Sequence, residues 1–289
     1  MQYYLTAIIL ALGLGFLVWG VFISIKISGL PDITTDGSYT LGAAATGMFL
    51  SENENIFYAM IVSVLLGSFA GFITGIIHTR MKIQALLSGI LVMTALYSVN
   101  LIIMGKSNIP LLENNMFYDS LTLTPEFYLN QLIILSVFAG TTGLFLKRFL
   151  KTDMGIALRA TANADNMARS MGINSDNYKI LGLAIANGLT ALSGSLITQI
   201  QKFADINMGV GIVIFGLGSV MIGEALIKLI NVKGMGWDIF GAMLGCILFR
   251  LIIASTIQFG ADPVLLRLIT SIIVILILGL VHFRIKKTQ

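Results

Sequence analysis

Apolar residues in this chain fall into long runs that repeat from end to end. Residues 5–27, 57–78, 84–104, 126–146, 180–200, 208–230, 237–258 and 263–283 are each predominantly apolar. Each is about the ~20 residues that an α-helix needs to traverse a hydrocarbon core. That core offers no water to backbone amides, so helices are the structure these runs predict. The expected fold is an all-α, polytopic membrane bundle, with residues 1–289 forming a single transmembrane domain of eight or nine crossings.

The count turns on residues 32–50, where the apolar pattern weakens. Pro31, Asp32, Asp36, Gly37, Ser38 and Tyr39 come just after the first run. One reading is an ordinary external loop with Asp36-Gly37 as a turn. The other is a broken helix at membrane depth, tolerated where backbone is buried in protein or lines a cavity. A re-entrant 32–50 gives eight crossings with both termini inside; a crossing one gives nine with the amino terminus outside. The stretch Phe203–Gly211 faintly echoes Leu30–Gly37. That echo favours the re-entrant form, and with a second echo between the runs after Lys233 and Arg80 it suggests two related halves.

The one long polar stretch is 147–179, KRFLKTDMGIALRATANADNMARSMGINSDNYK. Its middle has helical spacing. Ile156, Ala160, Met167 and Met171 fall on one stripe, and Arg159, Asn163, Asn166 and Ser170 on another. Asp153 suits the start of the helix and Gly172 a left-handed stop. Such a helix could lie flat on lipid. However, Asp153 and Asp165 offset Arg159 and Arg169, and the Ala/Met stripe suits a groove on another protein better.

Basic residues place the sides. His78–Lys82, 147–151, Lys228–Lys233 and 284–287 are expected in the cytoplasm; Glu52/Glu54, Glu113/Asp119, Lys202/Asp205 and Asp262 are expected outside. The net charge of +4 belongs to these short loops and does not point to nucleic acid. Only 11% of residues are charged, far below the ~25% of soluble domains. The amino terminus reads as an uncleaved span rather than a signal peptide. Cys246 is the single cysteine, so no internal disulfide forms. His78 and His282 stand far apart, and no metal site is expected.

Within the spans, Glu224 reads as an i,i+4 partner of Lys228. Arg267 sits near enough to the outer end to snorkel. Arg250 has no evident partner and belongs either to the bundle or to a dimer interface. Asn100 reads first as a bond between helices. Asn187 sits beside a small-residue face of Gly188, Ser193, Gly194 and Ser195. No phosphate loop, nucleophile–base set or dinucleotide fingerprint appears, so the chain is not expected to be an enzyme.

Three stretches resemble a known family. Gly155-Ile-Ala-Leu-Arg159-Ala160-Thr-Ala-Asn163 with Met167-Ala168-Arg169-Ser-Met-Gly172-Ile173 is similar to the cytoplasmic coupling loop of ABC importer permeases of the branched-chain amino acid/ribose type. Residues 31–44 resemble the PDLTVDGSFPLGAA stretch of tryptophan/tyrosine importer permeases, with Ile33, Thr35, Tyr39 and Thr40 in place of Leu, Val, Phe and Pro. The run 84–104 resembles the same subfamily.

The resemblance implies a permease homodimer in the bacterial cytoplasmic membrane, importing a small organic solute. An aromatic amino acid is implied, tryptophan first. Two copies of a separate ATPase, carrying the ATP and magnesium, would act from below, and an extracellular or lipid-anchored substrate-binding protein from above. Gly155, Arg159, Ala160, Asn163, Met167, Ala168 and Gly172 would face the ATPase. Asp32, Asp36, Ser38, Tyr39, Tyr97 and Asn100 are the candidates for the translocation pathway. An ion-coupled secondary carrier using Asp32 or Glu224 is the alternative.

Overall fold

A computed structural model describes residues 2–112, 114, 116–119, 124, 126–232 and 234–258, with five further positions at 268, 269, 271, 272 and 275. Most of the run at 263–283 lies outside the described residues, as do Glu113, Lys233, Asp262, Arg267, His282 and 284–287. The apolar runs are helices. α1 (Gln2–Phe22) continues into a π-helical turn (Ile23–Ile27), and α2 (Thr34–Ser51), α3 (Ile56–Arg80), α4 (Ala85–Met104) and α5 (Phe127–Phe149) follow. Two short helices come next, α6 (Asp153–Asn163) and α7 (Asp165–Ser170), then α8 (Ser175–Gln201), α9 (Ile212–Ile230) and α10 (Met235–Gln258). Among the described residues seven helices are long and apolar enough to cross a membrane: α1 with its π-turn, α3, α4, α5, α8, α9 and α10. The chain is an all-α, multi-pass membrane protein.

Local chemistry sets the ends. The Asn55 side chain accepts from the Phe57 amide and starts α3. Thr152 accepts from the Gly155 amide and starts α6. Gly105, at φ 64°, closes α4 in a left-handed conformation where a side chain would be strained.

α8 is the axis of the bundle. It is buried almost continuously from Ile180 to Gln199 and packs against α1, α2 and α3. Lipid tails are as apolar as leucine, so helices in a bilayer associate by close packing and hydrogen bonding. Both are dense between α2 and α8. A Cβ at Gly42 would stand 1.9 Å from the Ala191 carbonyl oxygen, and one at Gly194 would stand 1.9 Å from that of Tyr39. The two backbones therefore touch at two points. On the other side of α8, the Ser193 hydroxyl donates to the Gly13 carbonyl of α1 at 2.8 Å.

The re-entrant reading of 32–50 does not hold. α2 is a continuous helix of 18 residues, about 27 Å long at ~1.5 Å per residue. Five residues before it, Gly29 lies against Ala162 of α6; near its finish, Gly47 lies against Ala204 and Ile109. Those neighbours mark opposite ends of α8, which is about 40 Å long. α2 therefore traverses the bundle, the crossing alternative applies, and the start of α1 lies at the end opposite α6. Its low hydropathy misled because lipid is not its solvent. Thr34 to Gly47 is wholly buried among α3, α4 and α8, and polar groups there are bonded by protein.

A small two-stranded ribbon was not expected. β1 (Asn108–Pro110) pairs antiparallel with β2 (Phe203–Asp205), Ile109 opposite Ala204. It closes the end of the bundle away from α6.

The α2–α8 contact predicts a sharp contrast. Gly194→Val forces apart two touching backbones and should cost about 3 kcal/mol or more, the upper end of overpacking penalties. Gly140→Ala, on α5 where no described atom lies within 4 Å, should stay within about 0.5 kcal/mol. Thermal unfolding of the detergent-purified chain measures both.

Candidate functional site

The polar residues after the first run assemble into a seam inside the bundle. Asp32, in the loop before α2, accepts from the Thr34 amide at 2.8 Å and from the Asn187 side-chain amide at 2.6 Å. The Asn187 carbonyl oxygen accepts from Ser38 at 2.7 Å. Asn187 thus bridges the loop and α2 from the middle of α8. Further along, Thr46 donates to Ser195 at 2.6 Å and shares a 3.0 Å bond with Ser63 of α3. Thr34 and Thr74 are 2.9 Å apart at the other end. Each bond satisfies a group that would otherwise be costly to bury.

Asp36 binds a helix terminus. Its two carboxylate oxygens accept from the amides of Gly211 and Val213 at 2.8 and 3.0 Å. Those amides are free N–H groups at the start of α9, where the helix dipole favours negative charge. Gly209 lies directly against the Asp36 carbonyl. The segment 205–211 therefore dips into the bundle, and α9 begins inside it, at the level of the first turn of α2. The sequence reading began this span at 208; the structure begins it at Ile212.

Asp32, Ser38 and Asp36 are thus brought close together. Asn100 joins them by donating to the Gly37 carbonyl at 3.2 Å. Tyr39 is buried on the far side of α2, against a cavity that also holds Arg250. Tyr97 is apart from all of them, half-exposed on the outer face of α4. Sequence alone did not give Asn187 its central role, and the backbone amides of Gly211 and Val213 carry no side-chain signal.

The second candidate is the polar stretch. It folds as two helices rather than one, because Ala164 leaves helical geometry at φ −150°, ψ 72°. A single stripe from Ile156 to Met171 is therefore broken. Gly172, at φ 82°, does take the left-handed conformation expected of it. Gly155 is buried against the backbone of Phe149 and Leu150, and Ala168 is buried too. Arg159 donates to the carbonyls of Gly155 and Leu150 at 3.3 and 3.2 Å, holding α6 to the end of α5. Ala160 is half-buried, while Asn163, Met167 and Gly172 are exposed. Met154, Ile156, Met167 and Met171 are 56%, 51%, 60% and 70% exposed, an apolar surface that the chain itself leaves open. Asp165 ties α7 to α8 through Lys179 at 3.2 Å, and Arg169 reaches Asp176.

Beside α6 lies a crevice of about 490 Å³ lined by Arg159, Asn163, Lys26, Glu224, Lys228 and Asp238 among others. Glu224 pairs with Lys228 at 2.9 Å, as the i,i+4 spacing predicts, and also with Lys26 of the π-turn at 2.5 Å. The second partner is nearly two hundred residues away in sequence and carried no local signal.

Asp36→Ala would leave two part-buried amides at the start of α9 without their acceptor, at a cost of up to about 1–3 kcal/mol each. The expected result is a lower thermal midpoint, with faster hydrogen exchange at the start of α9 than at its Lys228 end.

The chain matches the model of the family described as branched-chain amino acid transport system / permease component over residues 3–278. It is 38% identical over 279 residues to a tyrosine transport system permease protein of Clostridioides difficile (strain R20291), covering 96% of this chain and 91% of that one. It is 34% identical over 264 residues to an uncharacterized protein of Rickettsia prowazekii (strain Madrid E), covering 91% and 92%. A ribose import permease protein of Haemophilus influenzae is 23% identical over 79% of this chain and 69% of its own. No solved structure matches. The chain belongs to the family of branched-chain amino acid transport system permease components.

Proposed function

We propose that this chain is the membrane subunit of an ATP-driven ABC importer that carries an aromatic amino acid into the cell. The observation that carries the reading is the projecting pair α6–α7. It presents Met154, Ile156, Met167 and Met171 to the outside at the end of the bundle where Lys26, Arg80 and Lys228 collect. Methionine-rich surfaces adapt to a partner's groove, and basic loops mark the cytoplasmic side. The partner is a soluble ATPase, two copies on a permease homodimer, with a binding protein delivering solute at the ribbon end. ATP and magnesium belong to the ATPase. The name of the tyrosine transport relative favours tyrosine over tryptophan as the first substrate to test.

Asp32, Asp36, Ser38 and Asn100 are bonded where α2 meets α4, α8 and α9, with Tyr39 on the far side of α2, and a change in solute access there has to rearrange those bonds. Among the residues first expected to meet the ATPase, Asn163, Met167 and Gly172 are the exposed ones, with Gly155, Arg159 and Ala168 shaping the helix pair from behind.

Two measurements test this. Asn163→Cys should be protected from a membrane-impermeant maleimide in intact cells and labelled in inverted vesicles; labelling from the cell exterior would end the importer reading. Met167→Glu should weaken co-purification of the ATPase at least tenfold without lowering the thermal midpoint of the permease. Uptake of labelled L-tyrosine that persists without ATP and follows an ion gradient would instead favour a secondary carrier.

A further inference from the structure

Among the described residues, Arg250 is a charge without a counter-charge. It lies inside α10, fifteen residues past its start at Met235, about 22 Å along the helix. It is only partly exposed and makes no ion pair or hydrogen bond among the described residues. A guanidinium within a membrane span is expensive and marks a pathway or ligand more often than a scaffold. Glu224 is not its partner, being held by Lys26 and Lys228.

What surrounds it is a cavity. Arg250 shares about 410 Å³ with Tyr39 of α2, Asp205 of β2, and the apolar side chains of Leu10, Leu14 and Ile212. A smaller cavity, about 250 Å³, lies on its other side between the start of α1 and the end of α10. The larger one falls within the ~300–1,000 Å³ of small-molecule sites. Its lining is mixed, joining the polar groups of Arg250, Asp205, Tyr39, Gln201 and Asn207 to the apolar Leu10, Leu14, Ile197 and Ile212. The Tyr39 hydroxyl makes no hydrogen bond among the described residues. The Asp205 carboxylate accepts from the Asn207 amide at 2.8 Å and from Asn108 at 3.3 Å, and among the described residues no cation pairs with it. The cavity lies toward the ribbon end, and its inner limit is Ile212 at the start of α9.

We infer that this cavity is a holding site for a zwitterionic amino acid, with Arg250 as the anchor of its carboxylate. A guanidinium presents a planar fork that matches a carboxylate in two parallel hydrogen bonds. Asp205 supplies the opposite charge for the ammonium, Tyr39 a further hydroxyl, and Leu10 and Leu14 the apolar wall for the side chain. The site sits directly beyond the α2–α9 junction held by Asp36, so a solute in it waits against the segment that must open inward. This inference rests on the amino-acid importer reading and gives that reading a place in the chain.

The test is ligand-induced stabilisation of the purified full-length permease, with L-tyrosine and tyramine as probes. Tyramine keeps the ring and the ammonium but lacks the carboxylate. L-tyrosine should raise the thermal midpoint of the unsubstituted chain, and tyramine should need at least tenfold more to do so. In Arg250→Gln the rise should vanish, and in Arg250→Lys it should persist with weaker affinity, since charge remains without the fork. An equal rise with L-tyrosine in Arg250→Gln overturns the site. So does equal stabilisation by the two probes, or no stabilisation by L-tyrosine in the unsubstituted chain. If Arg250→Gln does not accumulate, the probe contrast and Arg250→Lys decide alone. L-tyrosine uptake by cells with and without the gene is read separately, so loss of the site and loss of the importer reading are told apart.

Discussion

The structure depends on the contact between α2 and α8. Two helices touch backbone to backbone where one of them lacks a side chain at the contact, and Gly42 and Gly194 provide this reciprocally, each against the other helix's carbonyl. Closeness brings polar groups within bonding distance as well. Asn187 reaches Asp32 and Ser38, and Thr46 reaches Ser195, because the axes are near enough for short side chains to meet. Packing and hydrogen bonding are therefore one interaction here. Without it, α2 would be too polar to remain in a bilayer.

The seam has a second consequence. α2 is shielded from lipid by α3, α4 and α8, so its sequence is free to carry carboxylates and hydroxyls at membrane depth. Asp36 uses that freedom to cap α9 from inside the protein. The first amides of a helix need acceptors, and here a carboxylate from another helix supplies them. The depth at which α9 starts is thus set by a residue on a different helix, 175 positions earlier.

What the sequence could show follows from how far each signal reaches. Periods of apolar residues are local, and seven expected spans appear within a few residues of where the pattern puts them. Turn and cap signals are local too, and Gly172 behaves as its position suggested. α2 was harder, because hydropathy reports the solvent of a helix and the solvent of α2 is other helices. The break at Ala164 had no marker, since alanine is the residue most at home in a helix. The β1–β2 ribbon, the Lys26–Glu224 pair and the capping of α9 join residues roughly one to two hundred positions apart. A pattern read along one chain does not contain them. The residues around Asp32 were picked out as chemistry; their partners were not.

The two candidate regions are joined by a short route through the break after α1. Ala162 of α6 lies against Gly29, and Leu158 of α6 packs near Gly182, which in turn meets Ser28. Residues 28–33 lead within one turn to Asp32 and Asn187. On the other side Arg159 and Asn163 share a crevice with Lys26 and Glu224, which tie the π-turn to α9. Any body seated on α6 therefore bears on both ends of the arrangement that fixes α2 and α9. The π-turn and Gly29, at φ 68°, are the backbone there least committed to a regular α-helix, and irregular turns of this kind absorb rotation that a packed helix transmits. Asp36 sits at the far end of that route, and its two bonds to the start of α9 fix α2 and α9 in one relative position. A packed core deforms little, so the placement of α2 and α9 and the seating of α6 belong to one continuous set of contacts.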